Sequence, residues 1–107
     1  MKYTDPLGKT HELSFYNSAY IFDNSLAVLA YDSDGSPYAH VTVCLGKPIE
    51  PLHTLVDVNN CKRLVDALYE EGAFFYTYRY ERSGYVEYPE VVWDEEWLKA
   101  NTKELEQ

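Results

Sequence analysis

The chain has 107 residues, of which 18 are acidic and 9 are basic, and its formal net charge is −9. This acidity opposes direct binding to nucleic acids and to anionic membrane surfaces, because both kinds of binding need clustered Lys and Arg. Hydrophobic residues make up 46% of the chain, as in folded globular proteins. We therefore expect a single domain over residues 1–107, and we expect any charged partner to be a basic protein.

The cysteine and histidine content favours a cytoplasmic protein without a metal or cofactor. Cys44 and Cys61 are too few for a disulfide scaffold. His40 and Cys44 are four residues apart on a predicted strand, a distance of about 13 Å, which is too far for two ligands of one metal ion. We see no signal peptide and no apolar run that approaches the roughly 20 residues needed to span a bilayer. We therefore predict no catalytic, cofactor-binding or metal site and a cytoplasmic location.

The first half of the chain predicts a polar arm followed by four extended segments. The segment 25–32 is apolar on both faces and should be a central strand. The turn at 32–35 joins it to the next strand, so that 25–45 should form an antiparallel hairpin. Strict alternation in that next strand places Val41 on the core face and Thr42 on the opposite face. The predicted segments are a loose arm or edge strand over 1–12 and strands over 13–23, 25–32, 37–45 and 54–58.

One amphipathic helix is predicted over residues 60–71. Its apolar stripe recurs with helical spacing and should pack against a sheet. Asn59 or Asn60 is expected to cap the start of the helix, and Gly72 stands where a glycine commonly follows a helix end. The stripe consists of Cys61, Leu64, Val65 and Leu68.

The stretch FFYTYRYERSGYVEY, residues 74–88, is rich in aromatic side chains and predicts a β-hairpin. A four-residue loop at 81–84 would place Tyr80 opposite Tyr85, whereas a two-residue loop would change every pair. The same four-residue loop would place Thr77 opposite Tyr88. The period-two pattern puts Phe74, Tyr76, Tyr78 and Tyr80 on the face expected to be more buried, and Phe75, Thr77 and Arg79 on the exposed face.

The last part of the chain predicts a return strand, a short helix and a polar tail that frays. Pro89 cannot donate a ladder hydrogen bond, which favours an edge strand or a bulge. Asp94 is placed to cap the helix, with two glutamates in the first turn. The order of elements predicts an α+β fold, in which a mainly antiparallel sheet carries the helix at 60–71 and a short C-terminal helix follows.

The exposed side of the aromatic hairpin is the candidate docking surface for a protein. Tyrosine offers a large contact area at a low entropic cost and keeps a polar tip. Stacking of nucleic-acid bases is the other use of such a surface, but binders of that kind line it with Lys and Arg. Here acidic residues outnumber the basic ones around the hairpin. The docking candidates are Arg79, Arg82, Tyr85, Glu87, Tyr88 and Glu90.

Three short motifs, taken in order, resemble a family of small bacterial proteins of unknown function that are encoded on conjugative transposons and plasmids. The motifs lie at Asp34–Ala39, Asp57–Asn60 and Ser83–Pro89. The family usually has Asn where this chain has Cys44, which argues against thiol chemistry at that position. The resemblance implies an accessory protein of a mobile element and transfers no catalytic residue.

These observations favour a non-enzymatic, acidic interaction module. Together with the resemblance, they suggest an accessory protein that engages a basic host protein, either by imitating the charge of DNA or by opposing a host defence. Two alternatives stay open. One is a small enzyme that uses His40, His53 or a cysteine, for example Cys44 paired with His53. The other is a structural subunit of an oligomer; the sequence does not define an oligomeric state.

Overall fold

The computed structural model describes residues 1–20, 25–46 and 50–105. Parts of the predicted strand 13–23 and of the predicted tail fall on 21–23 and 106–107, outside the described residues. The helices are α1 (Lys62–Glu70) and α2 (Glu95–Asn101). The strands are β1 (Lys2–Thr4), β2 (Thr10–Glu12), β3 (Ser14–Ala19), β4 (Leu26–Tyr31), β5 (Pro37–His40), β6 (Thr42–Val43), β7 (His53–Val56), β8 (Phe74–Ser83), β9 (Val86–Trp93) and β10 (Thr102–Glu104).

The described strands form two four-stranded sheets and one small hairpin. The first sheet has the order β10-β3-β4-β5, the second has the order β6-β7-β9-β8, and β1 pairs with β2. The pairing of β10 with β3 is parallel, whereas the other pairings among the described strands are antiparallel. The predicted α+β class with mainly antiparallel strands is confirmed. The strands are nevertheless divided between sheets and do not form the single main sheet that we expected.

One buried cluster joins both four-stranded sheets and both helices. Val28 of the first sheet, Phe74 of the second sheet and Leu68 of α1 are each 0% exposed. Trp93 at the end of β9 lies between aromatic neighbours, with its ring centroid 5.0 Å from that of Phe74 and 6.1 Å from that of Trp97. Because these side chains belong to one contiguous cluster, the sheets and helices share a single core.

The predicted strand 37–45 is broken at Val41, where the chain crosses from the first sheet to the second. The Val41 N–H donates to the Val28 carbonyl of β4 at 3.0 Å, and the Val41 carbonyl accepts from the Asp57 N–H at 2.8 Å. Val41 is buried as predicted, but Thr42 is buried too, and its hydroxyl accepts from the Val28 N–H at 3.1 Å. The internal position of β4 and its antiparallel pairing with β5 are confirmed. The crossover resets the alternation of faces, so the prediction for Thr42 was wrong.

Helix α1 has three of the four residues of the predicted buried stripe but not the predicted cap, and the fourth residue, Cys61, is half-buried and precedes the helix. The buried residues of α1 are Leu64, Val65 and Leu68. The N-cap residue is Cys61, whose side chain makes no capping hydrogen bond. Asn59 and Asn60 lie in the preceding turn, where their backbone N–H groups donate to the Asp57 carboxylate. Gly72 follows the helix with φ of 82°, the left-handed conformation that glycine adopts most easily, as predicted.

Both terminal segments form strands. For residues 1–12 the strand alternative and not the loose arm is correct, since β1 and β2 form a hairpin in which Tyr3 and His11 are buried. The tail that we expected to fray instead supplies β10, which pairs with β3. The Asn17 side-chain amide donates to the Thr102 hydroxyl at 2.7 Å and anchors this pairing. The Asp94 cap of α2 is confirmed, because its carboxylate accepts from the Glu96 N–H at 3.1 Å.

Candidate functional site

The candidate docking surface lies on the β8–β9 hairpin, which turns through a two-residue loop and not through the predicted loop at 81–84. Ser83 lies opposite Val86, so only Gly84 and Tyr85 remain in the loop. Gly84 has φ of 62°, as the first position of a type II′ turn requires. The shorter loop changes the register, so the predicted pairs were wrong. Tyr80 lies opposite Pro89 and not Tyr85, and Tyr88 lies opposite Glu81 and not Thr77.

A bulge interrupts β8 in its middle. Tyr76 and Tyr80 pair with residues of β9 that are only two positions apart, so residues 77–79 lie opposite the single residue Glu90. Tyr78, within the bulge, has φ of 66°, which is uncommon for a residue with a side chain. The bulge thereby brings Tyr76 and Tyr80 to the spacing of same-face neighbours, about 7 Å along a strand, although four positions separate them in sequence.

The predicted division of β8 into a buried and an exposed face holds only before the bulge. Phe74 is fully buried and Phe75 is 58% exposed, as expected. Tyr78 and Tyr80 were assigned to the buried face, but they are 80% and 57% exposed. The bulge changes the alternation, and β7 pairs with β9 only over residues 90–92. Beyond the bulge the hairpin is therefore a two-stranded ribbon that carries exposed aromatic rings.

Three further residues define the ribbon. Tyr85 is fully exposed in the loop, and Tyr88 is half-buried on β9. Pro89 pairs with the residue that follows the bulge, which agrees with the prediction that a proline here marks an edge or a bulge. Because β7 pairs with β9 only over residues 90–92, Pro89 lies on a part of β9 that has β8 as its single described neighbour, where a missing N–H is tolerated.

Charged side chains are paired with one another along the hairpin. The Arg79 guanidinium donates to the Glu90 carboxylate from Nη2 at 2.7 Å and from Nε at 3.2 Å. His53 Nδ1 lies 3.0 Å from the same carboxylate, and its Nε2 lies 3.3 Å from Glu50. Burial raises the pKa of Glu90, but the hydrogen bonds from Arg79 and His53 outweigh it and hold that pKa below its ordinary value. The ionised Glu90 carboxylate thus connects Arg79 in the bulge with His53 on β7.

The six docking candidates lie on one hairpin but not on one face. Arg79 and Glu90 are joined beside the bulge. Arg82 lies opposite Glu87 nearer the loop, with its Nη2 at 2.7 Å from that carboxylate. Because side chains alternate along β9, Tyr88 shares a face with Glu90, whereas Glu87 points to the other side. Tyr85 is fully exposed at the tip of the hairpin.

The histidine and cysteine residues of the enzyme alternative do not come together in one site of the described structure. Cys61 donates its thiol hydrogen to the Asp57 carbonyl at 3.3 Å, and burial, helped by the charge of Asp57, raises its thiol pKa to about 12. A thiol with so high a pKa is a poor nucleophile. Cys44 and His40 line a groove of about 890 Å³ whose described lining does not include His53. Among the described residues, no three His, Cys, Asp or Glu side chains are arranged so that they could hold a metal ion.

A buried histidine cluster was missed by the sequence reasoning, because its members are far apart in the chain. His11 Nδ1 lies 2.7 Å from the Asp32 carboxylate and Nε2 lies 2.8 Å from the Asp5 carboxylate. A carboxylate can only accept, so both ring nitrogens must carry hydrogens and the imidazole is charged. The rings of Tyr3 and Tyr38 pack around it, 6.3 and 4.7 Å away. This cluster fastens the β1–β2 hairpin to the end of β4.

We expect this fastening to depend on pH. The two carboxylates raise the pKa of His11 above its ordinary 6.5, and His11 in turn lowers the pKa of Asp5 and Asp32 below their ordinary 3.8. The histidine contribution is therefore complete below pH 6.5 and is lost as the pH rises through the raised pKa. The carboxylate contribution is lost as the pH falls below 3.8 and through the lowered pKa values. Burial raises the pKa of Tyr3 to about 12, so this phenol stays neutral over the pH range in which His11, Asp5 and Asp32 titrate.

Urea melts of the wild type and of His11→Gln would check this expectation. The free energy of unfolding of the wild type should exceed that of His11→Gln by the largest amount near about pH 5. This excess should shrink towards about pH 9. A difference that grows with pH would contradict the charged state assigned to His11.

The comparisons with known proteins identify a family without assigning an activity. Among the described residues, no helix is long and apolar enough to cross a membrane. No curated protein and no solved structure matches the chain. The family model described as "Domain of unknown function (DUF4313)" matches residues 14–106. This agrees with the resemblance to a family of unknown function, and the match leaves the β1–β2 hairpin outside. The chain therefore belongs to the DUF4313 family of domains of unknown function.

Proposed function

We propose that this protein is a non-enzymatic, acidic interaction module that engages a basic protein through the β8–β9 hairpin. The net charge of −9 favours a basic partner and disfavours direct binding to nucleic acid or to an anionic membrane. We further propose a cytoplasmic accessory protein of a mobile element, a context that rests on the three sequence motifs. Its partner would be a basic host protein, engaged by imitation of DNA charge or in opposition to a host defence.

The observation that carries this proposal is the exposure of large aromatic rings on the β8–β9 hairpin. Protein interfaces are enriched in Tyr and Phe. These rings belong to two paired strands and their loop, so little backbone ordering would be needed on binding. The exposed rings are Phe75, Tyr78, Tyr80 and Tyr85.

The charge distribution supports the same surface. Arg79 is paired with Glu90 and Arg82 with Glu87, so the middle of the ribbon is close to neutral in a strongly acidic protein. An apolar, nearly neutral centre within a charged surround is the usual composition of a protein interface. The acidic surround would steer a basic partner towards this centre.

The test is the capture of a partner by matched baits. The wild type should retain a basic protein from a bacterial extract, and Tyr88→Ala should retain at least about fivefold less of it, since truncation of an interface anchor costs more than about 1 kcal/mol. Tyr85→Ala should act in the same direction. Tyr85 is fully exposed, so this change should leave the melting temperature unchanged. Quantitative mass spectrometry measures the recovery.

Leu7→Ala is the control bait, because Leu7 is 95% exposed but belongs to the turn between β1 and β2. Equal recovery by all four baits, or an acidic protein as the specific partner, would contradict the proposal. If the acidic surface imitates DNA, duplex DNA should displace the partner from the bait. If the hairpin binds the partner away from its DNA-binding site, duplex DNA should leave the complex intact. Dissociation of a homo-oligomer by the hairpin changes would favour the structural-subunit alternative.

A further inference from the structure

Two tyrosines pack together beside the end of helix α1, and a third follows on the same face of β8. The ring centroids of Tyr69 on α1 and Tyr76 on β8 are 5.0 Å apart, with the ring planes tilted by 42°. Tyr80 follows Tyr76 on the same face, because the bulge removes residues 77–79 from the regular strand. Tyr69 is 42% exposed and Tyr80 is 57% exposed, whereas Tyr76 is half-buried. We call the packed pair Tyr69 and Tyr76, extended along β8 by Tyr80, the aromatic wall.

A carboxylate stands beside this wall. Asp66 and Tyr69 are three positions apart on α1, so their side chains lie on the same side of the helix. Burial raises the pKa of the Tyr76 phenol, and the negative charge of Asp66 raises it further, which supports the proximity of the two groups. Asp66 is bound at 2.9 Å by Lys62, but both side chains are more than half exposed. Such exposed pairs are weak, so an incoming cation could replace Lys62 at little cost.

The chemistry of the wall selects a planar cation. The faces of phenol rings carry negative electrostatic potential and attract guanidinium and ammonium groups, with guanidinium the more frequent partner. A guanidinium can stack on a ring and donate to a carboxylate at the same time, which a compact ammonium does less well. An anionic ligand would meet the Asp66 carboxylate, and a purely apolar ligand would leave that carboxylate unused.

We propose that Tyr69, Tyr76, Tyr80 and Asp66 form a subsite for an arginine side chain of the basic partner. The proposal rests on the proposed function and adds to it the residue type that is recognised and a location on the helix side of the hairpin. The strongly negative charge of the whole chain brings basic segments to the surface, and the aromatic wall distinguishes arginine from lysine there.

The probe is a blocked tetra-arginine peptide, compared with a blocked tetra-lysine peptide of equal charge. In NMR titrations at low salt, tetra-arginine should shift the ring signals of the three tyrosines and should bind more tightly than tetra-lysine. Tyr80→Ala should weaken tetra-arginine binding by about twofold to fivefold, the effect of one exposed cation–π contact. Tyr80→Phe keeps a ring and should bind like the wild type.

The Asp66→Asn and Glu95→Gln variants form a matched pair of charge changes. Each removes one negative charge and one exposed pair with a lysine four residues away, Lys62 for Asp66 and Lys99 for Glu95. Only Asp66→Asn should weaken tetra-arginine binding. Equal weakening in both variants, unchanged binding by Tyr80→Ala, or no binding by the wild type would overturn the subsite. Failure of the subsite would not affect the partner-capture test, because that test uses the Tyr85→Ala and Tyr88→Ala variants and not variants of Tyr80 or Asp66.

Discussion

Replacing Leu68 by alanine should destabilise the protein by about 2–5 kcal/mol, the usual cost of truncating a buried leucine. Leu68 is 0% exposed and belongs to the cluster that joins both four-stranded sheets. Its loss would leave a cavity between α1 and the strands, and a well-packed core closes such a cavity only in part. Equilibrium urea melts would give the difference in the free energy of unfolding.

Glu70→Ala is the control on the same helix, because Glu70 is exposed and lies in the last turn of α1. It should change the free energy of unfolding by less than about 0.5 kcal/mol. A Leu68→Ala effect as small as the control would mean that the stripe of α1 does not carry the core.

Replacing Trp93 by alanine should cost about 3–5 kcal/mol. Trp93 is 2% exposed, and its ring contacts those of Phe74 and Trp97. Its indole N–H donates to the Thr54 hydroxyl at 2.8 Å, so the change also removes the buried partner of that hydroxyl. Trp93→Phe should cost less, because an aromatic ring still fills most of the space. Thermal and urea melts followed by far-UV circular dichroism would rank the three proteins.

Tyr85→Ala provides a comparison for Trp93, since it truncates an aromatic side chain that is fully exposed. It should leave the free energy of unfolding almost unchanged. Equal losses in the Trp93 and Tyr85 variants would contradict the assignment of Trp93 to the centre of the core.

Local pattern was enough to predict the helices, and it failed where distant segments decide the structure. The spacing of Leu64, Val65 and Leu68 identified the buried side of α1, and Asp94 identified the start of α2. Periodicity could not show that Val41 leaves one sheet for another, because that depends on hydrogen bonds with Val28 and Asp57. The residues around Val41 contain no pattern that would indicate Val28 or Asp57 as hydrogen-bond partners.

The candidate site shows the same limit. The aromatic hairpin was predicted correctly as a hairpin, but its register depends on whether the loop has two residues or four, and the stretch around Gly84 allows both. At the bulge at 77–79, Arg79 contacts Glu90, and Glu90 also contacts His53. Because His53 lies on another strand, a reading of the hairpin alone could not place Tyr76 beside Tyr80.

The parallel pairing of β10 with β3 has a consequence for the order of folding. The hydrogen bond between Asn17 and Thr102 closes a separation of 85 positions, whereas the β8–β9 hairpin closes through two loop residues. The entropy lost on closing a loop rises with the logarithm of its length, so this distant pairing costs more to close than the hairpin, but far less than in proportion to its length. It does slow the search for the native topology, because distant contacts must wait until nearer ones have formed. The hairpins should therefore form early, and the first sheet should acquire its β10 edge in a late step.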